Sequence, residues 1–286
     1  LPEVHNGVEC CKCGTVLAST IVGRNVEFMS IVIFNGGRGA RTLISSLLEK
    51  LDLPLVSVVN AYDDGKSTGD IRRLFNIPGP SDLRKTMEVM LPTMDVASKI
   101  HRRLFDLRMP TNYSEQLAIK NLEDFVSGKA VTLFGQDFSS AETRSEIGRY
   151  VAHFLDAYKV FKKMSAISFG FNDCSLMNCI FAGAFFANGR NYAKAIRELE
   201  CLFNSRGRIL LNSEEIRCLF GVRSDGTFLK SEAEIVELRS NYSMEEIFFS
   251  DHWIDNFPIS TSSKQEMIKF GTLAHHPVHT SDEVLD

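Results

Sequence analysis

The chain has 286 residues, of which 44% are hydrophobic and 24% are charged, and its net charge is −4. This composition is typical of a globular protein, and the negative balance argues against a nucleic acid as partner. The longest apolar run, residues 175–187, is shorter than the ~20 residues that span a bilayer, which favours a buried helix and no membrane partner. The seven cysteines, an odd number, favour reduced thiols and a cytoplasmic location.

Residues 1–28 show no clear period, and we interpret them as an N-terminal arm. Cys10, Cys11 and Cys13 lie in this arm. A Cys-x-Cys-Gly sequence can supply two zinc ligands, whereas a tetrahedral zinc site needs four. A partly ordered arm is therefore favoured, and a zinc site is the alternative.

The next segment has the pattern of a strand, a helix and a second strand. Residues 29–34 (MSIVIF) are a short continuous apolar run, as in a buried parallel strand. Residues 41–51 predict a helix with its leucines on one face, and residues 55–59 predict the next buried strand. This order predicts a right-handed βαβ unit.

The remaining sequence predicts helices followed by short strands. We predict a three-layer α/β sandwich with a mainly parallel, Rossmann-like sheet. Residues 29–239 would be an α/β domain with a helical insertion at about 95–165, and residues 240–286, which show little periodicity, would be an irregular or truncated C-terminal segment. The predicted helices are 82–91, 95–128, 142–164, 175–187 and 192–203, and the predicted strands are 208–211, 216–222 and 227–230, with a hairpin turn at Asp225-Gly226.

The first strand ends in a glycine-rich sequence, Asn35-Gly36-Gly37-Arg38-Gly39, which we call the glycine turn. Ligands of open parallel sheets bind beyond the carboxyl ends of the strands. Glycines let the backbone approach a phosphate closely and adopt a positive φ, and the N–H groups of the following helix point to the same place. Arg38 and Arg41 would add charge-assisted hydrogen bonds. The pattern indicates phosphate binding, and a tight turn without a ligand is the alternative.

The second strand ends in the acidic turn, which runs from Asn60 to Gly69 and contains Asp63-Asp64-Gly65. Gly65-Lys66-Ser67 resembles the end of a P-loop, but Asn60 stands where that loop needs its first glycine, so we reject this interpretation. One carboxylate of an adjacent pair can hold Mg²⁺ against phosphate oxygens, and the other can orient a hydroxyl or act as a base. A solvated turn is the alternative.

The two turns together resemble one known family. The segments IVIFNGGRGARTLISSLL and VSVVNAYDDGKSTGDIRRLFNIPGPSDLRK are similar to the 2-phospho-L-lactate transferase superfamily, which includes gluconeogenesis factors that bind UDP-sugars. Two later segments match in the same order, DCSLMNCIFAGAFF and RGRILLNSEEIRCLFGVRSDGTFLKSEAEI. The resemblance covers roughly residues 29–236. It implies a nucleotide or nucleotide-linked small molecule as partner and Mg²⁺ as cofactor.

The resemblance also implies a set of site residues. Asp63 and Asp64 would be the catalytic acidic pair at the metal and acceptor-hydroxyl site, with Asp63 as the metal ligand. The nucleotide and its phosphates would be bound by the glycine turn, the acidic turn, a D-I-R-like helix start and an S-L-G-N-like helix start that closes over the nucleotide. These residues are Gly36, Gly37, Arg38, Gly39, Asn60, Lys66, Ser67, Asp82, Arg84, Ser175 and Asn178.

The sequence departs from the family pattern at several positions. Arg38 replaces a threonine, and Asn35, Lys66, Ser81 and Met177 replace glycines. Family members also carry a P-G-S-like turn near the C-terminus that approaches the ligand, and no such turn is found here. We hypothesise that Arg38 and Lys66 neutralise charge that a metal alone handles elsewhere.

A basic cluster lies close to these motifs in the sequence. It consists of Arg72, Arg73, Arg84 and Lys85. The cluster either belongs to the proposed site or forms a solvated helix face, and the sequence favours the two equally.

The leading functional prediction is a Mg²⁺-dependent transferase that acts on a nucleotide-linked donor of the phospholactyl or sugar type. In the resembled transferases, the reaction moves a phospholactyl group and displaces a nucleoside monophosphate at phosphorus, and it depends on positioning and charge neutralisation. The alternative is a non-enzymatic regulatory protein that binds a nucleotide sugar, because the resemblance reaches both branches. The sequence leaves the oligomeric state open, with a homodimer among the alternatives.

Overall fold

The computed structural model describes residues 8–9, 16–17, 30–92, 96–138, 141–165, 167–236, 241–253 and 263–285. Of the predicted N-terminal arm, it describes Val8–Glu9 and Val16–Leu17, which pair as antiparallel strands. Cys10, Cys11 and Cys13 lie outside the described residues, so the zinc alternative stays a prediction.

A three-stranded parallel sheet lies at the centre of the fold. Strands β1 (Ile31–Asn35), β2 (Leu55–Val59) and β3 (Arg208–Leu211) lie in the order β1-β2-β3. The central strand β2 is buried at every position but Val56, as its mostly apolar sequence predicts. The prediction of a buried strand is wrong for β1, because Val32 and Phe34 are exposed. Helix α1 (Arg41–Lys50) connects β1 to β2. The predicted α/β class, the parallel sheet and the order strand, helix, strand are confirmed.

The register of the sheet places the two turns side by side. Asn35, the last residue of β1, is paired with Val59, the last residue of β2. Val59 is in turn paired with Leu211, at the end of β3. Because the strands are parallel, the glycine turn and the acidic turn leave the sheet from the same edge.

Helices contribute most of the buried apolar residues. The closest packing lies between α6 (Ala141–Met164) and α7 (Leu176–Ala187). A Cβ on Gly183 would lie 1.9 Å from the Tyr150 carbonyl oxygen, so only glycine fits there. The helices between β2 and β3 are α2 (Ser67–Phe75), α3 (Pro80–Met90), α4 (Val96–Asp106), α5 (Glu115–Val126), α6 (Ala141–Met164), α7 (Leu176–Ala187) and α8 (Tyr192–Leu202).

Helix α2 is not predicted by apolar periodicity, because it is short and carries Arg72 and Arg73 among its few apolar residues. It forms through tertiary packing. Phe75 at its end makes edge-to-face contacts with phenylalanine rings of α6 and α7. Packing of this kind stabilises a helix that would not be stable alone.

A second sheet is antiparallel and follows β3 in the chain. Its strands are β4 (Cys218–Arg223), β5 (Phe228–Leu229) and β6 (Met244–Ser250), and they lie in the order β6-β4-β5. The hairpin between β4 and β5 turns at Gly226, whose φ is +88°. This agrees with the predicted Asp225-Gly226 turn. The elements are β4 (Cys218–Arg223), β5 (Phe228–Leu229), the short helix α9 (Glu232–Ile235), β6 (Met244–Ser250), α10 (Lys264–Ala274) and α11 (Asp282–Leu285).

The segment after residue 240 is regular where the sequence shows little periodicity. Strand β6 forms because it pairs with the distant strand β4. Helix α10 begins with a capping box of Ser263 and Glu266, and it packs so closely on β6 that a Cβ on Gly271 would lie 2.4 Å from the Phe248 ring. Strand pairing with a distant segment and helix capping produce no apolar period in the sequence. This explains why the regular elements after residue 240 are not predicted.

Candidate functional site

Three segments meet at the carboxyl edge of the parallel sheet: the glycine turn, the acidic turn and the start of α3. Asn35 Nδ2 donates to Thr86 Oγ1 of α3 at 3.2 Å, and the Ser57 hydroxyl donates to Asn35 Oδ1. A Cβ on Gly36 would lie 3.9 Å from Asp82 Oδ2. The glycine turn therefore faces the Asp82 carboxyl group directly.

The fold itself does not require the glycines at positions 36 and 39. Neither Gly36 nor Gly39 has a positive φ, contrary to the expectation from the sequence, and a Cβ on Gly39 would meet nothing within 4 Å. The turn continues through a short 3-10 helix (Gly37–Ala40) into α1, and the N-cap residue, Ala40, has no capping side chain. An uncapped helix start next to glycines suits an anion.

The sequence predicts two basic residues at the phosphate, Arg38 in the glycine turn and Arg41 at the start of α1. Arg41 Nη2 lies 2.9 Å from Glu88 Oε1 of α3, so this arginine ties α1 to α3. The surroundings of Gly37 and the side chain of Arg38 lie outside the part of the chain that the structure describes, and their predicted phosphate contacts stay predictions.

The acidic turn brings Asp63 to the helix start that carries Asp82, and Lys85 lies between them. Lys85 Nζ donates to Asp63 Oδ2 at 2.8 Å and to Asp82 Oδ1 at 2.9 Å. Asp63 Oδ1 accepts a hydrogen bond from the N–H of Gly65 at 3.1 Å. The side chains of Asp63, Lys85 and Asp82 are 13%, 21% and 7% exposed, so the three charges are close together and largely shielded from water.

The three groups shift one another's pKa values. Burial raises the pKa of Asp63, but the Lys85 ammonium and the Gly65 N–H outweigh it, so the pKa lies below its ordinary value. Burial and the neighbouring Asp63 raise the pKa of Asp82. Burial lowers the pKa of Lys85, yet the two carboxylates leave it raised. Asp63 and Lys85 therefore stay charged, and Asp82 is the carboxylate that takes up a proton first.

Asp64 points to a different part of the molecule from its neighbour Asp63. Its Oδ1 accepts from the N–H of Ala233 at 2.9 Å, and its Oδ2 accepts from the N–H of Glu232 at 3.2 Å. Burial raises the pKa of Asp64 in spite of these bonds. The carboxylate thus satisfies the free N–H groups at the start of α9 and ties the acidic turn to the second sheet.

Glu232 is a further candidate residue that the sequence motifs do not indicate. Burial, together with the charges of Asp63, Asp64 and Asp82, raises the pKa of Glu232 to about 7. Its position after Ser231, whose hydroxyl caps α9, is readable from the sequence as a helix start. The spacing of more than 160 residues from the acidic turn offers no signal that the two meet.

The predicted residues of α2 and α7 meet each other. Asn178 Nδ2 donates to Ser67 Oγ and to Thr68 Oγ1, each at 3.2 Å, and the N–H of Ser175 donates to Ser67 Oγ at 3.4 Å. All four residues are buried. In the described part of the chain, Ser175 Oγ and Asn178 Oδ1 have no hydrogen-bond partner. These residues fix the start of α2 directly behind the acidic turn.

Lys66 has a backbone conformation that favours glycine. Its φ is +49° and its ψ is −131°, at the position where the resembled family carries glycine. The side chain is 81% exposed, with its Nζ 3.9 Å from Asp173 Oδ2. A strained residue with an exposed cation next to a candidate site points to a functional requirement for that side chain.

The basic cluster is not a solvated helix face. Arg72 is fully buried and donates from Nη1 to the Tyr62 carbonyl at 2.8 Å. Arg84 is also buried and donates to the Phe105 carbonyl at 3.2 Å. Asn60 bonds locally, with its Oδ1 accepting from the N–H of Tyr62 at 3.1 Å. Of the cluster, Lys85 is the member that lies between the site carboxylates.

The arrangement of the carboxylates does not fit Mg²⁺. This ion prefers about six oxygen ligands at about 2.0–2.1 Å. Asp63 and Asp82 direct oxygens to Lys85 Nζ, and Asp64 directs both of its oxygens to backbone N–H groups. Over the described ranges, no group of three or more His, Cys, Asp and Glu residues is placed to hold a metal ion.

Comparison with known proteins finds matches that include the segments of the candidate site. The family described as 2-phospho-L-lactate transferase CofD matches residues 31–252. A putative gluconeogenesis factor of Streptococcus pneumoniae is 23% identical over 81% of this chain and 52% of its own length. A gluconeogenesis factor of Halalkalibacterium halodurans is 22% identical over 72% of this chain and 45% of its own length. The chain thus spans about half the length of the curated relatives it matches.

The fold is similar to that of a solved structure. A member of the UPF0052 family from Bacillus halodurans superimposes with a TM-score of 0.50 at 20% identity, over 77% of this chain and 50% of that one. No helix among the described residues is long and apolar enough to cross a membrane. The family match extends from β1 through the glycine turn, the acidic turn and α9 to the end of β6, and the chain therefore belongs to the 2-phospho-L-lactate transferase CofD family.

Proposed function

We propose that this protein binds a nucleotide-linked substrate between the glycine turn and the acidic turn and transfers a group of the phospholactyl or sugar type from it. The observation that carries the proposal is Gly36, a glycine that neither a positive φ nor a close protein contact requires, facing the carboxyl group of Asp82. A missing side chain at that place leaves room for a ligand. The cytoplasmic location and the homodimer stay predictions.

The phosphates of the ligand would lie against the glycine turn. Their negative charge is stabilised by the N–H groups at the uncapped start of α1. Lys66, which is exposed and only loosely paired with Asp173, can reach the ligand from the other side. Family membership supports a phosphorus-linked donor, and the base and the acceptor are left open by the described contacts.

Two carboxylates have suitable pKa values for different tasks in the transfer. Asp63 stays ionised and can accept a hydrogen bond from the acceptor hydroxyl. Glu232, whose pKa is raised to about 7, can take up the proton of that hydroxyl near neutral pH. With a donor of the phospholactyl type, the hydroxyl oxygen then bonds to phosphorus, and the bond from phosphorus to the departing nucleoside monophosphate breaks. With a donor of the sugar type, the hydroxyl oxygen bonds to the sugar carbon, and the bond from that carbon to the departing nucleoside diphosphate breaks. Asp64, predicted as catalytic, is assigned instead to holding α9.

A second candidate is a regulatory protein that binds a nucleotide sugar without turnover. The names of the curated relatives favour it, since they are described as gluconeogenesis factors rather than as transferases. This candidate uses the same glycine turn and the same phosphate contacts, and it differs only in that no group is transferred from the bound ligand.

A thermal-shift panel tests the shared part of both candidates. The full chain is heated with GDP, UDP, CDP and UDP-sugars at millimolar concentration, with Mg²⁺ or with EDTA. At least one of these ligands should raise the melting temperature, because a ligand that binds the folded state stabilises it. No shift with any of them contradicts both candidates.

Release of nucleoside monophosphate from a phospholactyl-type donor, or of nucleoside diphosphate from a sugar-type donor, then separates the two candidates. For a transferase, Asp63→Asn and Glu232→Gln should each lower the rate about 100-fold or more and change the dissociation constant of the nucleotide little. Asp137→Asn, a change at an exposed position in the short hairpin of Thr132–Leu133 and Gln136–Asp137, is the matched control. Binding without any release by the wild type supports the regulatory candidate instead.

A further inference from the structure

We propose that the Lys85 ammonium is a built-in replacement for a divalent cation, so that this site binds its ligand without Mg²⁺. The proposal deepens the proposed function and rests on it for the identity of the ligand. Lys85 is a positioning residue in this account, because it acts through the two carboxylates that it joins.

The geometry gives Lys85 the place that a bridging cation would take. Asp63 Oδ2 and Asp82 Oδ1 belong to segments that are 19 positions apart in the chain, and both converge on one Nζ at 2.8 and 2.9 Å. Lys85 follows Asp82 by one helical turn on α3, so the helix itself holds the ammonium there. A metal ion bound to both of these oxygens would lie beside the ammonium, and the two like charges would repel each other strongly in this shielded position.

Three further carboxylate oxygens of the acidic turn are engaged elsewhere. Asp63 Oδ1 accepts from the Gly65 N–H, and the Asp64 carboxylate is turned toward α9. A Mg²⁺ ion at this place would therefore have to displace Lys85 and recruit most of its ligands from water or substrate. The ammonium meets the same need for positive charge with the contacts already present.

The consequence for the ligand is a change in charge balance. Two neighbouring carboxylates without a cation would repel a phosphate group. With Lys85 in place, one ammonium offsets one of the two negative charges before the ligand arrives. Removal of Lys85 should leave Asp63 and Asp82 as an open carboxylate pair, and such a pair should bind a divalent ion in place of the lost ammonium.

A titration with Mn²⁺ alone tests the proposal without any nucleotide. Calorimetry is done on the wild type, Lys85→Met, Lys85→Arg and the control Lys159→Met, which breaks an exposed pair with Glu123. We expect weak binding to the wild type, at least about tenfold tighter binding to Lys85→Met, and wild-type behaviour for Lys85→Arg and the control. Equal binding by the wild type and Lys85→Met overturns the proposal.

The wild-type titration decides the question even if Lys85→Met does not fold. Tight Mn²⁺ binding to the wild type that Asp63→Asn abolishes would show that a metal occupies the site beside Lys85, and it would overturn the proposal. Weak binding that Asp63→Asn leaves unchanged supports it. Circular dichroism of each variant establishes which of them are folded.

A nucleotide titration provides the second arm. Any nucleotide that binds should have the same affinity for the wild type in EDTA and in Mg²⁺, and Lys85→Met should become at least about tenfold dependent on Mg²⁺. A wild type that binds only with Mg²⁺ contradicts the proposal. If no nucleotide binds under either condition, the proposed function fails, and the Mn²⁺ titration still decides the role of Lys85.

Discussion

The two turns at the carboxyl edge of the sheet differ in how firmly the protein holds them. In the acidic turn, the Ala61 carbonyl accepts from the Gly79 N–H at 2.7 Å, and the Ala61 N–H donates to Asn212 Oδ1 at 3.0 Å. In the glycine turn, the Gly39 N–H donates to the Gly36 carbonyl at the long distance of 3.4 Å. Among the described residues, the glycine turn is held to other segments through the Asn35 side chain, whereas the acidic turn is positioned by several distant segments.

The glycines of the two regions differ in the same way. A Cβ on Gly69 would lie 2.2 Å from the Asp64 carbonyl oxygen, and a Cβ on Gly79 would lie 2.5 Å from the Asp63 carbonyl oxygen. A Cβ on Gly36 or Gly39 would cause no such clash. Glycine around the acidic turn is therefore explained by packing, whereas packing explains neither Gly36 nor Gly39, which agrees with the proposed ligand.

The largest expected effect is that of Gly79→Ala. The new methyl group would press on the backbone of the acidic turn, and we expect the free energy of unfolding to fall by about 3 kcal/mol. Urea denaturation measures the change. Gly39→Ala is the matched control and should change stability by less than about 1 kcal/mol. Equal stability of the two variants would remove the distinction between the turns.

A smaller loss is expected for Asp64→Ala. It leaves the N–H groups of Glu232 and Ala233 without their acceptor, which should cost about 2 kcal/mol in the free energy of unfolding. Nucleotide affinity should change little, because this carboxylate faces α9. A large loss of affinity at unchanged stability would instead place Asp64 at the ligand, as the sequence predicts.

Lys66→Gly should increase stability. It relieves the positive φ at residue 66, which should raise the free energy of unfolding by about 1 kcal/mol. The same change removes a cation from the site, so nucleotide affinity should fall. A variant that is more stable and binds as well as the wild type would show that Lys66 does not contact the ligand.

The last prediction concerns the pH dependence of stability. The pKa of Glu232 is about 7 in the folded protein and 4.5 as its ordinary value, so the folded state binds the proton more tightly and loses stability as pH rises from about 4.5 to 7. Glu232→Gln should therefore be more stable than the wild type at pH 8 but not at pH 4, as urea midpoints would show. Glu200, whose pKa burial also raises to about 7, stays in both proteins and cancels in the comparison. An identical pH dependence of both proteins would contradict the raised pKa.

The sequence predicts the parallel strands and both turns because each is a local pattern. Continuous apolar runs indicate β1 and β2, and their order in the chain places the turns at one edge. Contacts between distant segments determine which side chains lie at the site, and local sequence patterns do not reveal them. Arg72 and Arg84 read as site or surface residues and are buried structural donors, while the positions of Lys85 and Glu232 depend on segments that are distant in the chain.

The most direct test of the central claim is a calorimetric titration of Gly36→Ala with the nucleotide that gives the largest thermal shift. The added methyl group would enter the space between the glycine turn and Asp82, at 3.9 Å from the carboxylate oxygen. We predict affinity at least about tenfold weaker than that of the wild type, with the free energy of unfolding within about 1 kcal/mol. Unchanged affinity would contradict the claim that phosphates bind at the glycine turn.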